Sequence, residues 1–221
     1  MRSIECITME THRIATLILI TGSLLTAVLI YSAAPEMIPT HWNLSGEPDA
    51  WSDQVFGLAI IPAIIIAAAL LFGMLLRRYG SGDIRTRRSA GWFIFLVLGL
   101  LYAIQLYQAL TILGHPVDPL LFFPVLFALL SLGISILLPR ISSPNPVFGI
   151  RTPWTMKSPI VWERTHQAGA RTFRIAAGLT LLGAFFPDHL FLFIIAPVLL
   201  ATAWLVVVSY REYQRLEMIH E

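Results

Sequence analysis

The long apolar stretches of this sequence contain no charged residues, and that absence excludes an ordinary soluble domain. Only 13% of the 221 residues are charged, whereas 57% are hydrophobic, and the mean hydropathy is +0.74. A stretch of about 20 apolar residues crosses a hydrocarbon core of roughly 30 Å. Five uncharged stretches reach about that length: 14–35, 54–76, 89–116, 119–139 and 189–210. We interpret the first as a retained span rather than a cleaved signal peptide, because it is too long for the apolar part of a signal.

Cysteine and the usual catalytic motifs are also scarce or missing. Cys6 is the only cysteine, which excludes a disulfide framework and a cysteine-based metal site. The sequence has no H-E-x-x-H, no G-x-S-x-G and no phosphate-binding loop. We therefore predict no catalytic residues, no cofactor and no metal.

Ionisable residues inside the spans are almost absent, although ion-coupled transporters and proton relays usually need them. The most polar residues there are Gln105 and Gln108, which share a helix face with Tyr102 nearby. We expect a hydrogen bond between helices at this face. A substrate site is the alternative.

Basic residues are missing from every second loop. A shorter apolar run, 175–187, completes a set of six spans if its helix starts near Gly169 and Arg171 and Arg174 reach back to the membrane surface. With six spans, all 15 Lys and Arg residues lie on one side: Arg2, Arg13, Arg77, Arg78, Arg85, Arg87, Arg88, Arg140, Arg151, Lys157, Arg164, Arg171, Arg174, Arg211 and Arg215. The opposite loops carry only acidic residues: Glu36, Glu47, Asp49, Asp53, Asp118 and Asp188. The positive-inside rule then predicts an all-α, polytopic integral membrane protein with six transmembrane helices and both termini in the cytoplasm. The alternative is a re-entrant hairpin at 175–187, which leaves five spans.

The outer loop, 35–53, contains three prolines and a glycine, which prevent a helix. We expect a fixed turn that presents His41 and Asp49 outward, with Trp42 and Trp51 at the headgroup level. Ser52 or Asp53 is expected to cap the next helix. The acidic residues and His41 could bind a divalent cation, but their spacing matches no known ligand pattern.

The inner loop, 140–171, is the longest polar stretch. Ser158 followed by Pro159 predicts the start of a helix that runs through Glu163 and His166 and lies in the interface. These two residues are either an acid/base pair or an ordinary surface pair. Arg151 is expected to tie the loop to this helix, because its planar guanidinium can bond several acceptors at once. Trp154 and Trp162 are expected near the inner interface.

Two stretches resemble known bacterial modules. The first resembles the outer-loop signature of an uncharacterised membrane domain that often precedes an SdpI-type module: Pro39, His41, Trp42, Asn43, Gly46, Glu47, Pro48 and Asp49. The second resembles the SdpI module itself: Asn145, Gly149, Arg151, Thr152, Trp154, Thr155, Trp162, His166 and Gly169. The chain is therefore identified as resembling the SdpI family. We expect a cytoplasmic N-terminus at 1–13, an N-terminal membrane module at 14–113 and an SdpI-like module at 114–221.

The resemblance implies a six-helix protein of the bacterial cell membrane without a cofactor. The named member of the family protects its producer against a secreted peptide toxin and holds a transcriptional repressor at the membrane. The implied partners are the lipid bilayer, a peptide toxin on the outer face and a cytosolic repressor on the inner face, with no direct nucleic-acid binding. A small-molecule or lipid transporter and a membrane enzyme using His166 are the alternatives.

Overall fold

The computed structural model describes residues 2–42, 48–79, 84–115 and 117–220 as a bundle of helices. The side chains of residues 2–10, Trp42, Ile219 and His220 are not described. The elements are α1 (Arg2–Ile30), β1 (Met37–Trp42), β2 (Pro48–Asp53), α2 (Gln54–Tyr79), α3 (Ile84–Ile112), α4 (Pro119–Leu137), α5 (Pro153–Lys157), α6 (Pro159–Leu182) and α7 (Leu190–His220). The predicted helical, polytopic class is confirmed.

Five segments in the described ranges are long and apolar enough to cross a membrane. They are Thr11–Ala33, Gln54–Tyr79, Ile84–Ile112, Pro119–Arg140 and Pro187–Met218. Their outward faces carry large apolar side chains such as Leu29 and Leu200, which are 75% and 68% exposed. In water such faces would be unfavourable, whereas lipid solvates them.

Helix α6 is the sixth long helix, and it is more polar than the others. Its 24 residues extend about 36 Å at 1.5 Å per residue. Four charged residues lie in its first two-thirds: Glu163, Arg164, Arg171 and Arg174. The helix packs mainly against α4 and α7 and continues into a 3₁₀ turn at Gly183–Phe185 without reversing. This continuity disfavours the re-entrant hairpin, and six crossings stays our prediction.

The outer loop forms a two-stranded antiparallel hairpin, which we did not predict. Ile38 pairs with Ser52, and the register shifts between Pro39 and His41. Ile38 is fully buried and packs with Leu58 and Ala109. Gly57 permits this contact, since a Cβ there would lie 2.8 Å from the Ile38 Cβ. The hairpin is thus fixed to the bundle by an apolar contact.

Two polar features within the bundle follow the sequence predictions. Asp53 caps α2 by accepting a hydrogen bond from the Phe56 N–H at 3.0 Å. Gln105 is buried and joins α3 to α1, because its Nε2 donates to the Ser23 carbonyl at 2.9 Å and its Oε1 accepts from the Ser23 hydroxyl at 2.5 Å. The predicted interhelical hydrogen bond is confirmed.

Candidate functional site

The inner loop is organised by Asn145, which is 1% exposed. Its side-chain oxygen accepts hydrogen bonds from the backbone N–H groups of Val147 at 2.8 Å and Phe148 at 3.1 Å. Such an Asx turn lets a short loop reverse without a helix or strand. The turn directs the Phe148 ring into the bundle, where it lies 6.1 Å from the ring of Phe72 in α2 and 5.8 Å from that of Phe93 in α3.

Gly149 brings the loop backbone against two side chains of α6. Its φ is +111°, a conformation that residues with a Cβ rarely adopt. A Cβ at this position would lie 2.6 Å from both His166 Nε2 and Trp162 Cη2. Trp162 and His166 are buried and stack with their ring centroids 4.1 Å apart. Trp162 also donates from Nε1 to the carbonyl of Ile141 at 2.7 Å. Only glycine fits between these groups.

His166 fastens the loop to α6 through both ring nitrogens. Nε2 accepts a hydrogen bond from the Ile150 N–H at 3.0 Å. Because Nε2 is an acceptor, Nδ1 carries the proton and donates to the Trp162 carbonyl at 2.8 Å. The residue precedes Gly169, where we place the start of the membrane segment. Burial disfavours the imidazolium and lowers the pKa of His166 to about 4, although the Trp162 carbonyl opposes this shift.

The second half of the loop is fixed by a reciprocal cap. Thr152 Oγ1 accepts from the Thr155 N–H at 3.2 Å, and Thr155 Oγ1 accepts from the Thr152 N–H at 2.9 Å. Thr155 also donates from its hydroxyl to the Ile150 carbonyl at 2.8 Å. This capping box starts α5 and orients Trp154. The Trp154 ring lies 4.9 Å from that of Tyr210 in α7.

Two expectations for this loop are wrong. Arg151 is exposed and donates to the Pro146 carbonyl within the loop, so the tie to α6 is made by His166 instead. Trp162 is 0% exposed and packs in the core, and its position near the level of the inner interface stays a prediction. Glu163 does not pair with His166, because it is exposed and accepts from Gln167 at 3.1 Å. The enzyme alternative therefore loses its acid/base pair.

The outer hairpin presents a polar pair. His41 Nδ1 lies 2.6 Å from Asp49 Oδ1, and both side chains are exposed. Pro39 lies in β1, whereas Asn43, Gly46 and the side chain of Trp42 fall outside the described part of the chain. Within the described residues, no three His, Cys, Asp or Glu side chains come together as a metal site.

An apolar groove of about 510 Å³ lies beside this pair, between α3, α4 and α7. Thr40 and His41 contribute to it from the hairpin. We call it the outer groove, and its remaining lining is almost entirely apolar: Ile104, Tyr107, Pro119, Leu120, Phe123, Phe127, Pro187, Leu190, Phe191, Ile194 and Ile195. This groove could not be predicted from the sequence, because it depends on how three helices pack together. Phe148 could have been predicted, because a large apolar residue in a polar loop is a recognisable signal.

Both loops lie in regions that are similar to known protein families. A model of the SdpI/YfhL protein family matches residues 142–209, which include the Asn145 turn, α6 and most of α7. This part of the chain is therefore similar to the SdpI family. A model described as a domain of unknown function, DUF1648, matches residues 18–66, which include the hairpin. The SdpI-family match and the apolar helices make the chain a multi-pass protein of a bacterial membrane.

One curated relative is similar to nearly the whole of this chain. The immunity protein SdpI of Bacillus subtilis (strain 168) is 28% identical over 214 residues, which are 92% of this chain and 96% of the relative. No solved structure matches the chain.

Proposed function

We propose that this chain is an immunity protein of the bacterial membrane, which engages a secreted antimicrobial peptide on its outer face and a cytosolic regulator on its inner face. The outer groove carries this proposal. Its apolar volume of about 510 Å³ lies beside the polar pair of His41 and Asp49, on a hairpin that Ile38 fixes to the bundle. The name of the Bacillus subtilis relative supports the immunity role.

The groove suits an amphipathic peptide better than a small polar solute. Amphipathic helices bind by placing apolar side chains in a groove of this kind. Tyr107 stacks on Phe122 with ring centroids 4.9 Å apart, which makes one wall of the groove rigid. A rigid aromatic wall lowers the entropy lost on binding. The exposed His41–Asp49 pair then offers hydrogen bonds to the polar face of the peptide.

The inner loop supports the second half of the proposal. Its backbone is held by Asn145, His166 and the Thr152–Thr155 cap, so the exposed surface of the loop has a fixed shape. Arg151 and Lys157 are exposed on that surface. Fixed positive charges attract an acidic cytosolic partner and fix its orientation.

The transporter alternative has less support from the geometry. Gln105 and Gln108 are the most polar residues inside the predicted spans. Gln105 makes two hydrogen bonds to Ser23. It is therefore not free to bind a solute on a path through the bundle.

Complementation tests the immunity role. The chain would be expressed in Bacillus subtilis strain 168 lacking its own SdpI, and survival would be measured in medium conditioned by the parent strain. We expect wild-type chain to restore survival. Ile195→Trp should abolish survival, because Ile195 lines the outer groove and is 48% exposed. The larger ring can therefore fill the groove without displacing the core.

The controls separate the groove from general damage. Leu199→Trp places the same ring one turn further along α7, where Leu199 is 63% exposed and does not line the outer groove. His41→Ala/Asp49→Ala should weaken protection, and Asp188→Ala/His189→Ala removes the same residue types from another exposed outer turn. If both outer-groove variants protect like wild type at equal membrane levels, the groove is not the site. A wild-type chain that gives no protection would contradict immunity against that organism's toxin.

A further inference from the structure

A second groove lies at the opposite end of the bundle, between α1, α2 and α3. We call it the inner groove; its volume is about 500 Å³. Its rim carries one arginine from each helix, Arg13, Arg77 and Arg87. Its walls are mainly apolar and consist of Leu17, Ile20, Ile66, Ala69, Leu70, Gly73, Leu76, Gly91 and Ile94.

The three arginines give the rim a concentrated positive charge. Among the side chains that the structure describes, no acidic one lines the groove. Among the described side chains, the carboxylate that pairs with arginine is Glu212, and it bonds Arg164 and Arg215 in another part of the protein. Arginine guanidinium groups bind phosphate oxygens through paired hydrogen bonds. The rim therefore matches a phosphate group.

The groove opens sideways toward the hydrocarbon. Leu17 and Leu70, on its two flanks, are 62% and 68% exposed, as lipid-facing residues are in this bundle. Gly73 leaves space inside it, since a Cβ there would meet no atom within 4 Å. An apolar chain can enter from the bilayer without crossing a polar barrier.

One buried polar atom in the groove lacks a partner. His12 Nδ1 has no hydrogen bond within the described structure. Its ring lies directly over Gly91, where a Cβ would come within 2.5 Å of it. A buried polar nitrogen without a partner is unfavourable. His12 also lines the groove, so a bound ligand would pack against its ring.

We propose that the inner groove binds one anionic phospholipid of the cytoplasmic leaflet. Its phosphate lies among Arg13, Arg77 and Arg87, its glycerol backbone packs against the His12 ring, and one acyl chain follows the apolar wall. The positive-inside orientation places this rim at the level of the cytoplasmic headgroups. Basic pockets between transmembrane helices on that side favour anionic headgroups. A free phosphate ion would use the rim but leave the apolar wall empty.

Thermal unfolding of the purified chain in neutral detergent tests the proposal. Phosphatidylglycerol would be titrated in, with phosphatidylcholine of the same acyl chains and inorganic phosphate as separate arms. We expect phosphatidylglycerol alone to raise the Tm, by about 5 to 10 °C at a hundredfold excess over its Kd. Native mass spectrometry should show one retained phosphatidylglycerol.

Two variants target the two halves of the site. Arg13→Gln/Arg77→Gln/Arg87→Gln removes the rim charge, and Gly73→Leu fills the groove while leaving the arginines in place. Each should raise at least tenfold the phosphatidylglycerol concentration needed for a Tm shift of the same size. Arg171→Gln/Arg174→Gln/Arg211→Gln removes equal charge from exposed arginines elsewhere on the same side. Gly99→Leu adds the same side chain at another open glycine, outside the groove. Both controls should stay within about twofold of wild type.

Three results would overturn the proposal. An equal Tm shift with phosphatidylcholine would show binding of any lipid, without use of the arginines. An equal shift with inorganic phosphate would show a free-anion site. A loss of affinity as large in the control triple variant as in the rim variant would show a general charge effect.

Discussion

Replacing Gly149 by alanine tests whether the close approach of the inner loop to α6 is essential. The φ of +111° is unfavourable for any residue with a Cβ, by about 1–2 kcal/mol. The new Cβ would lie 2.6 Å from His166 Nε2 and from Trp162 Cη2, well inside the roughly 3.5–4.0 Å of a normal contact. Both rings are buried, so relieving the overlap should cost about 1–3 kcal/mol more. The expected loss of stability is therefore about 2–5 kcal/mol.

The assay is thermal unfolding in detergent, followed by tryptophan fluorescence. At about 2–4 °C per kcal/mol for a chain of this length, Gly149→Ala should lower the Tm by about 4 to 20 °C. Gly178→Ala is the matched control, because Gly178 lies in α6 and a Cβ there meets nothing within 4 Å. Alanine favours a helix over glycine by up to about 1 kcal/mol, so this control should unfold at the same or a higher temperature. A Gly149→Ala variant that unfolds with wild type would refute the reasoning.

Three further predictions concern protonation, Arg151 and topology. Acidification from pH 6.5 to 4 should destabilise wild type more than His166→Gln, by up to about 3 kcal/mol. The reason is that the lowered pKa of His166 lets the unfolded chain bind a proton that the folded chain excludes, and equal Tm–pH curves would contradict it. Arg151→Lys and its control Arg85→Lys should each keep the Tm within about 4 °C of wild type, because one exposed hydrogen bond contributes about 1 kcal/mol. If Arg151→Lys lowers the Tm as much as Gly149→Ala does, Arg151 is essential to the fold of the loop. Reporter fusions after Gly46, Gly114 and Asp188 should report outside and those after Gly82, Lys157 and Glu221 inside, whereas an outside report at Glu221 would exclude six spans.

The helices could be predicted because their signals are local. A long uncharged run marks a span wherever it packs, and Asp53 caps the helix that begins one residue later. Gln105 could be assigned to an interhelical bond because a polar side chain in lipid needs a partner. The hairpin could not be predicted, because it depends on Ile38 packing against Leu58 and Ala109 from two distant helices.

The residues of the inner loop could be identified more easily than their roles. Gly149, Trp162 and His166 do meet in one cluster, and Asn145 forms the turn that leads to it. The sequence favoured Arg151 as the tie, because its side chain has the most donors. Which polar residue is buried depends on the turn at Gly149, and this turn aims the Ile150 N–H at His166. Composition does not reveal that direction.

The position of Phe148 has a consequence for the order of membrane assembly. Its ring fills a space between Phe72 and Phe93, in a core cluster that also contains Ile65, Leu98 and Trp162. Helices α2 and α3 are synthesised first, so they must remain incompletely packed until the ribosome has added the 36 residues from the end of α3 at Ile112 to Phe148. A chain interrupted before Phe148 would therefore leave its first three helices inserted with an open gap, a state that membrane quality-control proteases can recognise.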